Sequence, residues 1–279
     1  KTLIYRNEDT LAAGKSLVHL PPADTIVIGD MHGDIASTLA IANMLTRGDP
    51  ELAQVFLGDY VDRGPHQVDV INLVLLLKAT HPERVTMLRG NHEMPTLNKD
   101  NGFKTCLDRQ FGKDDGMILW HLYNRLFTQL PLAAVTWNNI LLVHGGIPEG
   151  VTDLREIENL PRELDPENRL SFELLWNDPV ETKRPVHFRK GARGGAVKQF
   201  GEIAFNEFQE NTKITKLIRG HEEFNDGYRY FFDDRLLSIY SSRRVVESPF
   251  ERQIKPKVVK IHKEGTVTIE TLEPAEIMT

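Results

Sequence analysis

Five short runs decide the reading of this chain: GDMHGD (Gly29 to Asp34), GDYVDRG (Gly58 to Gly64), RGNHE (Arg89 to Glu93), VHGGI (Val143 to Ile147) and RGHE (Arg219 to Glu222). Each one ends a hydrophobic stretch: TIVIG (25–29), QVFLG (54–58), RVTML (84–88), ILLVHG (140–145) and ITKLIRG (214–220). Short aliphatic runs bounded by turn residues read as buried strands. Asp, Asn and His are therefore delivered to strand ends. The first three strands recur at about 30 residues, the length of a βαβ unit. Helices are expected between them, from Asp34 to Arg47 and from Pro65 to about Ala79. This rhythm predicts an α/β fold with a parallel sheet and a site at its carboxyl edge.

Outward from these runs the pattern is less regular. The first twenty residues read as a short helix, capped at Asp9 or Thr10 and ending at Pro21-Pro22. Asp114 to Gln129 reads as a helix with Leu119, Leu122 and Leu126 on one side. AAVTW (133–137) and ILLVHG are joined at Asn138-Asn139, a two-residue hairpin signal. Residues 149 to 170 are expected to form a long surface loop with one helical turn, and 177 to 195 a second irregular stretch. After a helix from Glu202 to Glu210, the tail reads as antiparallel strands: YRYFF (228–232), LLSIY (236–240), VVKI (258–261) and TVTIE (266–270). No linker or repeat interrupts the chain, so residues 1–279 are read as one domain.

The composition narrows the function. A net charge of -6 disfavours nucleic-acid backbone binding, which calls for a basic surplus. The longest apolar stretch, Val70 to Leu77, is broken by Asn72 and falls well short of the ~20 residues a membrane span needs. Cys106 is the single cysteine, so no intramolecular disulfide can form and a cytoplasmic home is expected.

The five runs also carry the chemistry. Asp30 and His32 are two residues apart, which in an extended segment puts both side chains on one face. With Asp59 they can hold one metal ion. Asp59 can bridge to a second ion completed by Asn91, His144 and His221. All donors are O or N, which suits manganese, iron or zinc better than copper(I) or an iron–sulfur cluster. Two such ions acidify a shared water and polarise phosphoryl oxygens. Arg63 and Arg193 are candidates for the remaining phosphate oxygens, Arg193 from the glycine-rich GARGG loop. His92, beside Asn91, is read as the general acid for the leaving group and as a phosphate contact, with Asp62 raising its pKa. His19, His66, His81, His121, His187 and His262 lack this context and are read as ordinary core or surface residues. Glu93 and Glu222 are read as structural, and Asp34 as a helix cap or supporting group.

These motifs resemble the phosphoprotein phosphatase family of metallophosphatases, which includes protein phosphatase 1, protein phosphatase 2A and calcineurin. GDxHG is met at Gly29 to Gly33, GDxVDRG at Gly58 to Gly64, GNHE at Gly90 to Glu93 and HGG at His144 to Gly146. LLWNDP (174–179) resembles the family's LLWSDP, and the ARGG…FG segment aligns Arg193 with a second phosphate-binding arginine. The resemblance implies a calcineurin-like fold, a β-sandwich flanked by helices, with a dinuclear metal centre. It implies a protein serine/threonine phosphatase acting on phosphoproteins or phosphopeptides, by direct attack of metal-bridging hydroxide. Manganese is the ion expected to serve in vitro.

Two departures are visible. SSRRV (241–245) stands where relatives carry SAPNY, so the substrate rim differs and sensitivity to the family's toxins is in question. Gly64-Pro65 is similar to bacterial and diadenosine-tetraphosphatase relatives, but those commonly lose the acid kept here as Asp62. A diadenosine polyphosphate hydrolase is therefore the alternative, with an inactive phosphate-binding scaffold more remote. No regulatory domain or calmodulin-like helix is evident. Arg184, Arg189 and Lys190 in one loop, and Arg243, Arg244 and Arg252 in another, are expected to form a basic rim that steers anionic substrates.

Overall fold

Three parallel strands, Thr25–Ile28, Ala53–Phe56 and Val85–Met87, form the middle and one edge of a five-stranded sheet. The computed structural model describes residues 1–162, 168–247 and 250–276. These strands are buried almost throughout, which is why they read as unbroken apolar runs rather than alternating ones. Lys257–Ile261 joins antiparallel to Thr25–Ile28, and Val267–Thr271 pairs with it outside. The three strands expected to be parallel are so, and the chain's tail completes a mixed sheet.

The second sheet has six strands, in the order Leu17–His19, Ala133–Val135, Ile140–Val143, Lys216–Arg219, Leu236–Ile239 and Tyr228–Phe231. The hairpin is present, but its loop has three residues, Trp137 to Asn139, rather than two: the Thr136 N–H donates to the Ile140 carbonyl at 3.0 Å, and Asn139 closes the turn at φ 62°. Leu236–Ile239 runs parallel to Lys216–Arg219, so the tail is only partly antiparallel. Leu17–His19 is a strand inside the segment read as helical, and the opening helix spans Thr2–Ala12 with its N-cap at Lys1 rather than Asp9 or Thr10.

The two sheets face each other across Val27, Val55, Leu142, Ile218, Leu237 and Val259, all fully buried. At ~25 cal/mol per Å² of apolar surface removed from water, this shared layer is a main source of cohesion. Helices cover both outer faces. Ile35–Arg47, Gln67–Thr80 and Lys113–Phe127 pack on the five-stranded sheet through Ile41, Leu45, Ile71, Val74, Leu126 and Phe127. Arg169–Trp176 and Glu202–Thr212 pack on the other through Leu174, Leu175, Phe205 and Phe208. The chain is thus an α/β sandwich flanked by helices. Among the described residues, no helix is long and apolar enough to cross a membrane.

The expected loop at 149–170 contains the helix Leu154–Glu158, while 163–167 lie outside the described residues. The 177–195 stretch belongs to a small sheet of Asp178–Pro179, Phe188–Lys190 and Lys198–Phe200. A hairpin of Arg244–Glu247 and Phe250–Gln253 follows the second sheet. Its strands were not foreseen.

Candidate metal centre

Both sheets end their parallel strands at one edge. Asp30, Asp59 and Asn91 follow the strands of the first sheet, and His144 and His221 those of the second. Ile140–Val143 and Lys216–Arg219 pair with Val143 opposite Arg219, which puts the two histidines side by side. The sheets are tied across this edge: the His221 N–H donates to Asp30 Oδ1 at 2.8 Å, and His144 Nδ1 meets the Leu57 carbonyl at 3.1 Å.

All six expected ligands converge. Ligand atoms of His32, Asp59 and His92 lie within 4.8 Å of one another, as do those of Asp59, His144 and His221. Asp59 belongs to both groups, the position a bridging carboxylate requires. Asp59 Oδ2 is 3.4 Å from both His32 Nε2 and His144 Nε2. Asp30 Oδ2 is 3.8 Å from His32 Nε2. Asn91 Oδ1 sits 2.8 Å from His144 Nε2 and 3.2 Å from His221 Nδ1. Backbone carbonyls fix two rings: Val61 O holds His32 Nδ1 at 2.8 Å and Leu57 O holds His144 Nδ1. A ring whose Nδ1–H is committed to a carbonyl presents its Nε2 lone pair inward.

The turns carrying these groups are conformationally costly. His32, Asp59, Asp62, Arg63 and His221 all have positive φ, between 40° and 71°. Glu93 holds the turn at Asp59. Its carboxylate accepts the N–H of Asp59 at 2.7 Å, Tyr60 at 2.9 Å and Gly90 at 3.0 Å. Gly58 and Gly90 lie back to back beneath it. A Cβ on Gly58 would strike the Gly90 backbone, and one on Gly90 would strike Asp59. These glycines are steric necessities of the two motifs.

Burial sets the electrostatics. It pushes the Asp30 carboxyl up to about 6 and Asp59 well above the ordinary carboxylate range. It holds His32, His144 and His221 well below the usual imidazole range, so they are neutral lone-pair donors. Among the described residues, no Lys or Arg forms an ion pair with Asp30 or Asp59. Backbone N–H groups of His221 and His92 reach Oδ1 of Asp30 and Asp59, while Oδ2 of each faces the histidines. The Asn91 amide lies 2.8 Å from His144 Nε2 and 3.2 Å from both Asp59 oxygens: with Nδ2 inward it donates to them, and with Oδ1 inward it is itself a ligand. Buried carboxylates and neutral imidazoles gathered without a paired cation fit a metal ion.

The remaining predicted residues lie around the cage. His92 Nδ1 is 2.7 Å from Asp62 Oδ2, while its backbone N–H donates to Asp59 Oδ1 at 3.0 Å. Asp62 pulls the His92 pKa up, but burial outweighs it and the net direction is down, which corrects the expectation of a raised value. Arg63 Nη2 approaches His92 Nε2 at 3.5 Å. Arg193 Nε donates to Asp178 Oδ2 at 2.8 Å, and its Nη2 is 3.4 Å from the His221 carbonyl. Asp178 also accepts from the buried Arg219 at 2.9 Å, an organising role that sequence reasoning missed. Its signal was the LLWNDP motif. Three of the cations expected at the rim have partners. Arg189 binds Gln199, Arg252 binds Asn225, and Arg243 is paired with Asp34.

A helix-flanked sandwich with an acceptor cage at one sheet edge, and arginines around it, defines a metal-dependent phosphoesterase. The calcineurin-like phosphoesterase family model matches residues 24–222, and the chain belongs to that family. It is 36% identical over 224 residues to the serine/threonine-protein phosphatase BSL2 of Arabidopsis thaliana, covering 77% of this chain and 22% of that protein. It is 31% identical over 236 residues to the serine/threonine-protein phosphatase PP1-delta of Caenorhabditis elegans, covering 84% of this chain and 75% of that protein. The chain thus spans about a fifth of one relative's length and three quarters of the other's. A solved Saccharomyces cerevisiae protein serine/threonine phosphatase, similar to human phosphatase PP5, matches with a TM-score of 0.82 at 25% identity, over 99% of this chain and 90% of that one. The family implies divalent metal ions, in accord with the His and Asp groups.

Proposed function

We propose that the chain is a metal-dependent protein serine/threonine phosphatase, with residues 1–279 forming a single catalytic domain. The observation that carries this reading is the Asp62–His92 pair standing against the acceptor cage, His92 Nε2 being 4.0 Å from Asp59 Oδ2. The names of the relatives support the same substrate class. The single-domain reading is supported by the tail strand Lys257–Ile261, which sits inside the sheet that carries Asp30. A cytoplasmic home goes with it, supported by the single cysteine.

Asp30, His32 and Asp59 would hold one divalent ion, and Asp59, Asn91, His144 and His221 a second; manganese, iron and zinc all suit these donors. When bound, the ions supply Lewis acidity toward the phosphoryl oxygens and lower the pKa of water. The protein's own groups do the rest. Arg63 and Arg193 hold phosphate oxygens and strengthen their grip as charge builds in the transition state. Water adds to phosphorus as the bond to the seryl or threonyl oxygen breaks. With Nδ1–H committed to Asp62, His92 gives a proton from Nε2 to that oxygen in its doubly protonated form, which burial opposes and the Asp62 carboxylate favours. Asn91 and His92, adjacent in the same turn, keep the phosphate centred between cage and acid.

The test is a parallel assay of the manganese-loaded protein on a phosphoserine peptide and on diadenosine tetraphosphate. Preferential peptide turnover supports the reading. Preferential dinucleotide turnover moves it to the diadenosine polyphosphate hydrolases, and no turnover of either leaves a phosphate-binding scaffold.

A further inference from the structure

A cavity beside the cage shares His32 and Arg63 with it, while its other lining residues have no part in the proposed reaction. It lies between the GDMHGD turn, the start of the Gln67–Thr80 helix and the segment Ser242 to Arg244. Its volume is about 60 Å³, and Arg63, His66, Asp34, Ser242, Arg243 and Arg244 line it. On a scale of ~10–15 Å³ per water-sized group, that is room for a carboxylate or phosphate group and too little for a nucleobase. His32 forms part of the same wall, so the cavity adjoins the site where the scissile phosphate would sit.

Arg243 is held in a set orientation. Its backbone N–H donates to Asp34 Oδ2 at 2.9 Å and its Nε to Asp34 Oδ1 at 3.2 Å. Asp34 also accepts from the Ser37 N–H and hydroxyl, so both its oxygens are engaged. The two Nη nitrogens of Arg243 make no hydrogen bond or ion pair with a described residue, and the side chain is 32% exposed. Asp34 therefore fixes the guanidinium without using its fork. Arg63 and Arg243 against one engaged carboxylate leave the cavity positive, in a chain whose net charge is -6. A fixed planar fork with free Nη groups is suited to an oxyanion.

We propose that Arg243, oriented by Asp34, forms with Arg63 an oxyanion subsite beside the scissile phosphate. The enzyme then prefers phosphopeptides with a second anionic group, a carboxylate or a phosphate, next to the phosphorylated residue. This inference rests on the phosphatase reading above.

The test measures binding, so that it does not depend on turnover. Three peptides carry a non-hydrolysable phosphonate analogue of phosphoserine, flanked on either side by neutral residues, by glutamate or by a second phosphonate. Each is titrated calorimetrically into manganese-loaded protein. Wild type should bind one or both anionic-flank peptides about tenfold more tightly than the neutral one. The glutamate and phosphonate arms show which anion is taken. Arg243→Gln should remove that preference and leave the neutral peptide's affinity unchanged. His66→Asp guards against a folding artefact. His66 is a half-exposed N-cap residue at which Asp is well tolerated, and the new carboxylate would repel the anion without touching Asp34. Equal affinity for all three peptides in wild type, or a preference that survives in both variants, overturns the subsite. Binding preference without phosphoserine hydrolysis supports the subsite and sinks the activity. Hydrolysis without preference does the reverse.

Discussion

Asp62 grips His92 with one oxygen, Oδ2 to Nδ1 at 2.7 Å, and is itself gripped at the other, where Oδ1 accepts the Phe103 N–H at 3.0 Å. Asp62 is fully buried and sits at φ 69°, so its place is set by the turn and by the Phe103–Phe111 helix together. The imidazole is thereby aimed from both sides, with Nε2 toward the cage.

If that ring delivers the proton, His92→Asn should lower kcat on a phosphoserine peptide by ~10²–10⁴. Asp62→Asn should act in the same direction and less severely, since the ring remains. The deficit should shrink on nitrophenyl phosphate, whose leaving group hardly needs a proton. Metal content should stay near wild type in both. Equal losses on the two substrates would remove His92 from proton transfer.

Asp59 belongs to both close ligand groups, whereas Asp30 belongs to neither and lies 3.8 Å from His32 Nε2. Asp59→Asn should therefore deplete both ions and Asp30→Asn chiefly one. Elemental analysis after gel filtration reads this directly. Full two-metal occupancy in Asp59→Asn would falsify the bridging assignment.

The residues that gather at the cage were legible because each strand is short, buried on both faces and ended by Gly, Asp or His in one local run. His32, Asp59 and Asn91 could be named from those runs alone. Leu17–His19 could not, since a three-residue strand has no period to read and its partner, Ala133–Val135, lies more than a hundred residues away. The parallel pairing of Leu236–Ile239 with Lys216–Arg219 was hidden because Tyr228–Phe231, between them in sequence, takes the outer edge of the sheet instead of the place between them. The His92 pKa went the other way because a sequence shows the Asp62 partner but not how deeply the pair is buried. Arg243 looked like a surface cation because its partner, Asp34, is remote in sequence.

Glu93 offers a prediction about stability rather than catalysis. Its carboxylate is the acceptor for three backbone N–H groups and is fully buried. Glu93→Ala strands those donors at ~1–3 kcal/mol each where water does not reach them. A loss of at least about 3 kcal/mol is expected from urea unfolding of the metal-loaded protein. Glu93→Gln, which keeps one acceptor oxygen, should lose less. A melting curve for Glu93→Ala equal to wild type would show that the Asp59 turn holds its geometry unaided.

Asp178 lies between two arginines, taking Arg219 Nη2 on Oδ1 at 2.9 Å and Arg193 Nε on Oδ2 at 2.8 Å. Arg219 is fully buried and has further partners in Glu222 and the Gly145 carbonyl, so it stays in place without Asp178. Among the described residues, Arg193 has besides only a long contact to the His221 carbonyl, at 3.4 Å. Loss of the carboxylate should therefore release Arg193 selectively. Asp178→Asn should weaken product inhibition by inorganic phosphate about tenfold, close to the effect of Arg193→Ala. The double variant should be little worse than either single one, because both remove the same contact. Arg63→Ala should add to each, since Arg63 approaches from the His92 side of the cage. Inhibition constants on nitrophenyl phosphate measure all of this. If the Asp178 and Arg193 effects sum in full, the two residues act separately and Arg193 needs no guide.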